Sequence, residues 1–260
     1  MPELPEVETL RCQLAAQVTD KLIERLTILD TAKLGPAPPV VGRRVVKVSR
    51  QGKFLILELG GSEALTLHLR MSGRLCWRQE REAPLAPHTR FTVLFADGRL
   101  ELIDPRRFAT LCYGPPPVPT AAVDPLALQE PDRLMALARG RRVPIKSFLM
   151  DQRRIAGIGN IYACEILNAA GINPWRPVGS LEVKEWAAVG KAMQAVLKRA
   201  VAERGTTRAD WRDLWGQPGA FQYQLRVYEQ EGKPCPNCGT PIRRLSLAGR
   251  GTYFCSSCQR

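Results

Sequence analysis

The sequence predicts an α+β, multidomain fold: an N-terminal antiparallel β-sandwich headed by one helix, a helical second domain, and a small C-terminal β-hairpin bound by cysteines. Three observations carry this. Short apolar strands with turn signals fill residues 40–113 of the 260. The apolar period becomes helical beyond a proline-rich stretch. Two C-x2-C pairs then close the chain.

Residues 5–18 set Val7, Leu10, Leu14 and Val18 at helical spacing, so one helix precedes the sheet. Val45, Val46 and Val48 lead into Phe54-Leu55-Ile56-Leu57, and Leu65, Leu67 and Leu69 then alternate with Thr66 and His68. Phe91–Phe95 and Leu100–Ile103 flank Asp97-Gly98, which predicts a hairpin turning at those two residues. Residues 114–125, GPPPVPTAAVDP, carry five prolines in twelve positions and read as an interdomain linker. Further on, Trp186, Val189, Met193, Val196, Leu197 and Val201 mark a core-facing helix stopped by Gly205. Gly157-Ile158-Gly159-Asn160 precedes a helix from Ile161 to Ala170, closed by Gly171, with Asn160 set to cap it or to bind phosphate. The boundaries drawn are 1–113 for the sandwich domain, 114–125 for the linker, 126–216 for the helical domain and 217–260 for the C-terminal module.

Cys235-Pro-Asn-Cys238 and Cys255-Ser-Ser-Cys258 stand sixteen residues apart, the spacing of a tetrahedral zinc site. Two disulfides are the alternative. The opening MPELPEVETL has neither a basic nor an apolar leader region, so no export signal is expected and a cytoplasmic, reducing compartment is. Four thiolates leave no open coordination position, so one structural Zn2+ is expected. Ile242–Phe254 between the pairs reads as a hairpin presenting Arg250 from a Gly249-Arg250-Gly251 tip. Cys12, Cys76, Cys112 and Cys164 lack mutual spacing and are expected as buried small apolar residues.

Lys plus Arg number 38 against 25 Asp plus Glu, a net charge of +13. Three basic runs, 40–57, 139–154 and 235–260, are nearly free of acids. One such run is often only a solvated face; three favour a shared phosphate-binding surface, with nucleic acid the leading polyanion. No apolar run approaches the roughly 18 residues of a membrane span, so no membrane partner is expected.

Pro2 follows the initiator Met, a context in which Met is removed, leaving a free secondary amine at a helix start. The positive helix end keeps more of that amine neutral. Glu3 and Glu6 lie beside it on one helical face. An amine with neighbouring carboxylates suits Schiff-base chemistry on a sugar aldehyde carbon, although acids in a first helical turn are also ordinary dipole partners.

MPELPEVETL resembles the opening of the formamidopyrimidine-DNA glycosylase family, bacterial enzymes that excise oxidised purines. The resemblance recurs in order at Arg50-Gln51-Gly52-Lys53-Phe54, His68–Gly73, Asp104–Phe108, Leu149–Gln152, Gly157–Ala163, Pro218–Phe221 and Ala248–Thr252, essentially over the whole length. It implies a helix–two-turn–helix second domain. It implies Pro2 as the nucleophile at C1′, Glu3 as general acid/base with Glu6 in support, and Lys53 and Arg250 at the phosphates during β,δ-elimination. Met71, Arg106 and Phe108 would fill the void left by the extruded base. His68, His88, Arg141 and Asn160 match positions that contact DNA. Met71 and Phe108 read from sequence alone as core packing.

The resemblance has departures. Arg70 and Ala109 stand where the family usually has Gly, and residues 208–217, with Trp211 and Trp215, fall in the family's flipped-base loop. The expected protein is a monomeric bifunctional glycosylase/lyase of bacterial cytoplasm and nucleoid, acting on double-stranded DNA with oxidised bases such as 8-oxoguanine. Two alternatives stand: an endonuclease VIII-like enzyme for oxidised pyrimidines, against which Leu4 after Glu3 argues, and a non-catalytic zinc protein that binds DNA.

Overall fold

Leu4, Val7, Leu10, Leu14 and Val18 all lie on the buried face of helix α1 (Leu4–Val18), as their spacing requires. The structure, a computed structural model, describes residues 1–114, 122–128, 132–208 and 210–260. Two compact units result: Met1–Val118 with Glu203–Ala220, and Pro119–Ala202 with Phe221–Arg260. Residues 115–121 of the expected linker lie outside the described residues.

In the first unit β1 (Arg25–Ile28) is followed by a short helix, α2 (Thr31–Leu34), and seven more strands: β2 (Lys47–Gln51), β3 (Phe54–Glu58), β4 (Ala64–His68), β5 (Arg74–Arg78), β6 (Thr89–Phe95), β7 (Gly98–Ile103) and β8 (Thr110–Gly114). They form two four-stranded antiparallel sheets, ordered β1-β6-β7-β5 and β2-β3-β4-β8. The antiparallel sandwich is as predicted. Leu55, Leu57, Leu65 and Leu67 share one core with Phe91, Val93, Leu100 and Leu102, and α1 packs on β2 and β3.

The β6–β7 turn corrects one expectation. Phe95 pairs with Gly98, so the two turn residues are Ala96 and Asp97, not Asp97 and Gly98. Gly98 serves packing instead: a Cβ there would lie 2.4 Å from Cζ2 of Trp77 and 2.7 Å from the Arg78 carbonyl oxygen. Residues 203–220 also return to this unit. Trp77 N–H donates to the Leu214 carbonyl (2.9 Å), Gln13 Nε2 donates to Asp213 Oδ2 (2.9 Å), and Trp211 and Leu214 join the sandwich core.

The second unit holds α3 (Asp132–Ala138), α4 (Ile145–Leu149), α5 (Asn160–Ala170), α6 (Val183–Ala202) and the ribbon of β9 (Arg243–Leu247) and β10 (Arg250–Phe254). Trp186, Val189, Met193 and Leu197 are core residues as predicted, with Trp186 edge-on to Phe148 at 5.7 Å. Helix α5 ends at Gly171, which is left-handed (φ 72). It begins one residue early, at Asn160 with Gly159 as N-cap, so Asn160 does not cap it. The ribbon turns at Ala248 (φ 50) and Gly249 (φ 72), which puts Arg250 at the start of β10 rather than at the tip.

Of the four cysteines outside the C-x2-C pairs, only Cys164 is buried; Cys76 is half-buried, and Cys12 and Cys112 are exposed. The reason is local: Cys112 sits on edge strand β8, and Cys12 on the outer face of α1 beside Glu8 and Arg11. Among the described residues no helix is long and apolar enough to cross a membrane.

Candidate active site and nucleic-acid interface

Glu3 and Glu6 are both buried at the head of α1. Glu6 Oε2 accepts the Glu3 N–H (2.7 Å) and Oε1 accepts the Thr206 N–H (2.7 Å). Gly205 (φ +79) lets the chain come this close, since a Cβ there would sit 2.6 Å from Glu6 Oε1. Glu6 is therefore a brace between the chain head and the returning segment. Lys53, also buried, occupies the β2–β3 turn. Arg50 pins that turn, donating to Glu8 Oε2 of α1 (2.8 Å) and to the Gly52 carbonyl (3.0 Å). The α-amine of Met1 is held below its usual range, by burial first, with Glu3 and Glu6 opposing and Lys53 and Arg106 adding to the shift. Those four side chains thus lie within electrostatic reach of the chain head, and Pro2 beside it is half-buried.

His68 pairs with Phe54 across β3–β4, ring edge against ring at 4.7 Å. Burial, then the charges of Arg70 and Lys53, lower its pKa to about 4. Its Nδ1 accepts the Arg70 N–H (3.0 Å), so the neutral ring carries its proton on Nε2 as a donor. Arg70 has φ 54, the conformation that makes glycine the easy residue at this position. Met71 follows it, 53% exposed, and Phe108 is 45% exposed, which overturns the core-packing reading of both. Arg106 lies over the Phe108 ring at 4.8 Å. His88 is exposed at φ 65, and its carbonyl accepts the Asp104 N–H (3.0 Å). Ala109 is buried against Gly73, whose added Cβ would lie 3.2 Å from the Ala109 Cβ.

In the second unit, Lys146 of α4 is buried and donates through Nζ to Asn160 Oδ1 (2.5 Å), Thr252 Oγ1 (2.7 Å) and the Gly251 carbonyl (3.4 Å). Asn160 Nδ2 also donates to the Gly251 carbonyl (2.9 Å). Lys146 and Asn160 thus tie the start of α5 to the strand that carries the exposed Arg250. Sequence reasoning missed Lys146; the signal was a lysine among the apolar residues Ile145, Phe148 and Leu149, a charge that must find partners once buried. Arg141 is half-buried, its Nε donating to the Leu137 carbonyl (3.3 Å).

The sulfurs of Cys235, Cys238, Cys255 and Cys258 all lie within 4.8 Å of one another. Cys235–Cys258 is 3.9 Å and Cys238–Cys255 is 3.5 Å. Zn–S bonds of about 2.3 Å in a tetrahedron set neighbouring sulfurs about 3.8 Å apart. The cluster fits one zinc ion with no position left for a substrate.

Comparison with known proteins agrees along the chain. Residues 1–111 match the Formamidopyrimidine-DNA glycosylase N-terminal domain, residues 122–210 the Formamidopyrimidine-DNA glycosylase H2TH domain, and residues 232–260 the zinc finger found in FPG and IleRS. A formamidopyrimidine-DNA glycosylase of Chloroflexus aggregans is 42% identical, with 100% of this chain and 98% of the relative aligned. One from Moorella thermoacetica is also 42% identical over 94% of each chain. Among solved structures, the MutM (Fpg) protein of Thermus thermophilus superposes with a TM-score of 0.88 at 37% identity, covering 99% of this chain and 98% of that one. Lactococcus lactis Fpg, solved with DNA containing an abasic site, gives 0.87 at 29% identity over 99% of each chain.

Proposed function

The chain belongs to the formamidopyrimidine-DNA glycosylase family, and from that premise we propose how its residues divide the work. It is a DNA glycosylase of base excision repair with lyase activity at abasic sites, carrying one structural zinc on Cys235, Cys238, Cys255 and Cys258. Its substrate is duplex DNA bearing oxidised purines, 8-oxoguanine and formamidopyrimidines, and it works in the bacterial cytoplasm at the nucleoid.

Removal of Met1 frees the Pro2 secondary amine, which attacks C1′ as the glycosidic bond breaks and the base leaves with the bonding pair. The observation that carries this reading is the head of the chain: burial first, with Lys53 and Arg106 adding to it and Glu3 and Glu6 opposing, lowers the proton affinity of the Met1 amine next to Pro2. The sign is favourable, since an amine that loses its proton more easily is a free nucleophile at neutral pH. Glu3 takes and returns protons as the sugar ring opens to the Schiff base. Lys53 and Arg250 stabilise the phosphates leaving in the β and δ eliminations. Glu6 is a positioning residue, because backbone donors already occupy its oxygens. Met71, Arg106 and Phe108 fill the emptied stack, and His68, His88, Arg141 and Asn160 serve the DNA backbone, Asn160 by holding the Arg250 strand.

Borohydride trapping tests the scheme. Met-processed protein is mixed with duplexes carrying 8-oxoguanine, thymine glycol or a plain abasic site. The expected result is a covalent adduct on 8-oxoguanine and abasic DNA that Pro2→Gly abolishes. No adduct with any substrate sinks the enzyme reading, and preference for thymine glycol moves the chain to oxidised pyrimidines.

A further inference from the structure

Asp104 is fully buried, and its carboxylate takes four hydrogen bonds. Oδ2 accepts the N–H groups of Phe108 (2.7 Å) and Ala109 (2.7 Å). Oδ1 accepts the Arg106 N–H (3.3 Å) and the Ser72 hydroxyl (2.5 Å). The first three bonds fold residues 104–109 around one acid. The fourth crosses to another loop, the β4–β5 connection, where Ser72 is the residue after Met71. From the far side Arg107 grips Asp30 through two bonds, Nε to Oδ2 (2.8 Å) and Nη2 to Oδ1 (2.6 Å), while Arg106 and Phe108 stay exposed.

We infer that Asp104 is a positioning residue that joins the Met71 loop to the Arg106–Phe108 loop through Ser72, so that the three side chains enter the base stack as one preformed wedge. This rests on the void-filling role assigned to them above. A charged acceptor with four donors fixes its loops far more firmly than neutral turn bonds. Holding the wedge in shape before DNA arrives removes an ordering cost from the opening of the duplex. An abasic site in single-stranded DNA has no partner strand to part, so its cleavage does not call on the wedge.

Ser72→Ala removes only the bond between the loops and leaves Asp104 its other three donors. Asp104→Asn keeps the volume but turns one acceptor oxygen into a donor facing N–H groups. Each variant, with Met71→Ala for reference and circular dichroism to verify folding, is trapped with borohydride on the same abasic oligonucleotide, single-stranded and in duplex. A 2-aminopurine beside the lesion reports wedge insertion. Ser72→Ala is expected to trap single-stranded DNA within about twofold of wild type and duplex about tenfold more slowly, the cost of one hydrogen bond to a charged acceptor. Its 2-aminopurine rise should shrink as in Met71→Ala, and Asp104→Asn should lose at least as much. A wild-type duplex-to-single-strand ratio in Ser72→Ala overturns the proposal, and so does an equal loss on both strands. If wild-type protein traps neither strand, the glycosylase reading itself fails and takes the proposal with it.

Discussion

At the scale of single residues, His68 shows how the fold sets a protonation state. Burial and the cations Arg70 and Lys53 bring its pKa to about 4, below the ordinary 6.5. A depressed histidine pKa means that the unfolded chain takes up a proton first as pH falls. The stabilising effect is therefore complete above about pH 6.5 and is lost as pH drops toward 4. Between pH 7.5 and 4.5 the loss amounts to about 2–3 kcal/mol. His68→Gln removes the titrating group, so urea unfolding of this variant should be less acid-sensitive than wild type by about that amount. Equal acid sensitivity would mean that the ring is charged in the folded state. None of this was legible in the sequence, where His68 was one of only two histidines and its neighbours across β3–β4 could not be seen.

Among the elements, what could be read depended on how local the cause was. The periodicity of α1, the apolar stripe of α6 and the two C-x2-C knuckles are local, and each formed where it was expected. The β6–β7 hairpin was also legible, but its turn was not, because Gly98 answers to Trp77 on β5 rather than to turn geometry. Likewise, 203–220 follows the helices in sequence yet packs in the sandwich core, joined to α1 by hydrogen bonds some 200 residues apart (Glu6–Thr206, Gln13–Leu214). Gly98→Ala tests the first of these. Its Cβ would overlap both the Trp77 ring and the Arg78 backbone, neither of which can swing away cheaply. The variant should lose about 1–3 kcal/mol of stability in denaturant unfolding. A loss below about 0.5 kcal/mol, the range of an ordinary surface substitution, would return Gly98 to a turn role.

For the whole molecule, the net charge of +13 acquires a structural address through zinc. Arg243, Arg244 and Arg250 are exposed on a ribbon with few core residues of its own. What orders it is the cysteine cluster, together with anchors to helix α5 and the segment that follows it. Gln259 Nε2 donates to the Ile172 carbonyl (2.9 Å), Asn168 Nδ2 donates to Gln259 Oε1 (3.1 Å), and Trp175 meets Phe254 at 4.9 Å. Zinc binding of this kind is itself folding free energy. The first unit has a separate core containing none of the four cysteines. Chelation under reducing conditions should therefore loosen the ribbon while the transition of the first unit persists in calorimetry. Affinity for undamaged duplex should fall, and the plot of log K against log salt should flatten by about 0.9 for each phosphate that the protein no longer neutralises. Arg250→Ala with zinc retained should release about one such phosphate and leave the ribbon intact. If the metal-free protein keeps the wild-type slope, the ribbon does not grip DNA, and the basic excess must act through the other two runs, 40–57 and 139–154.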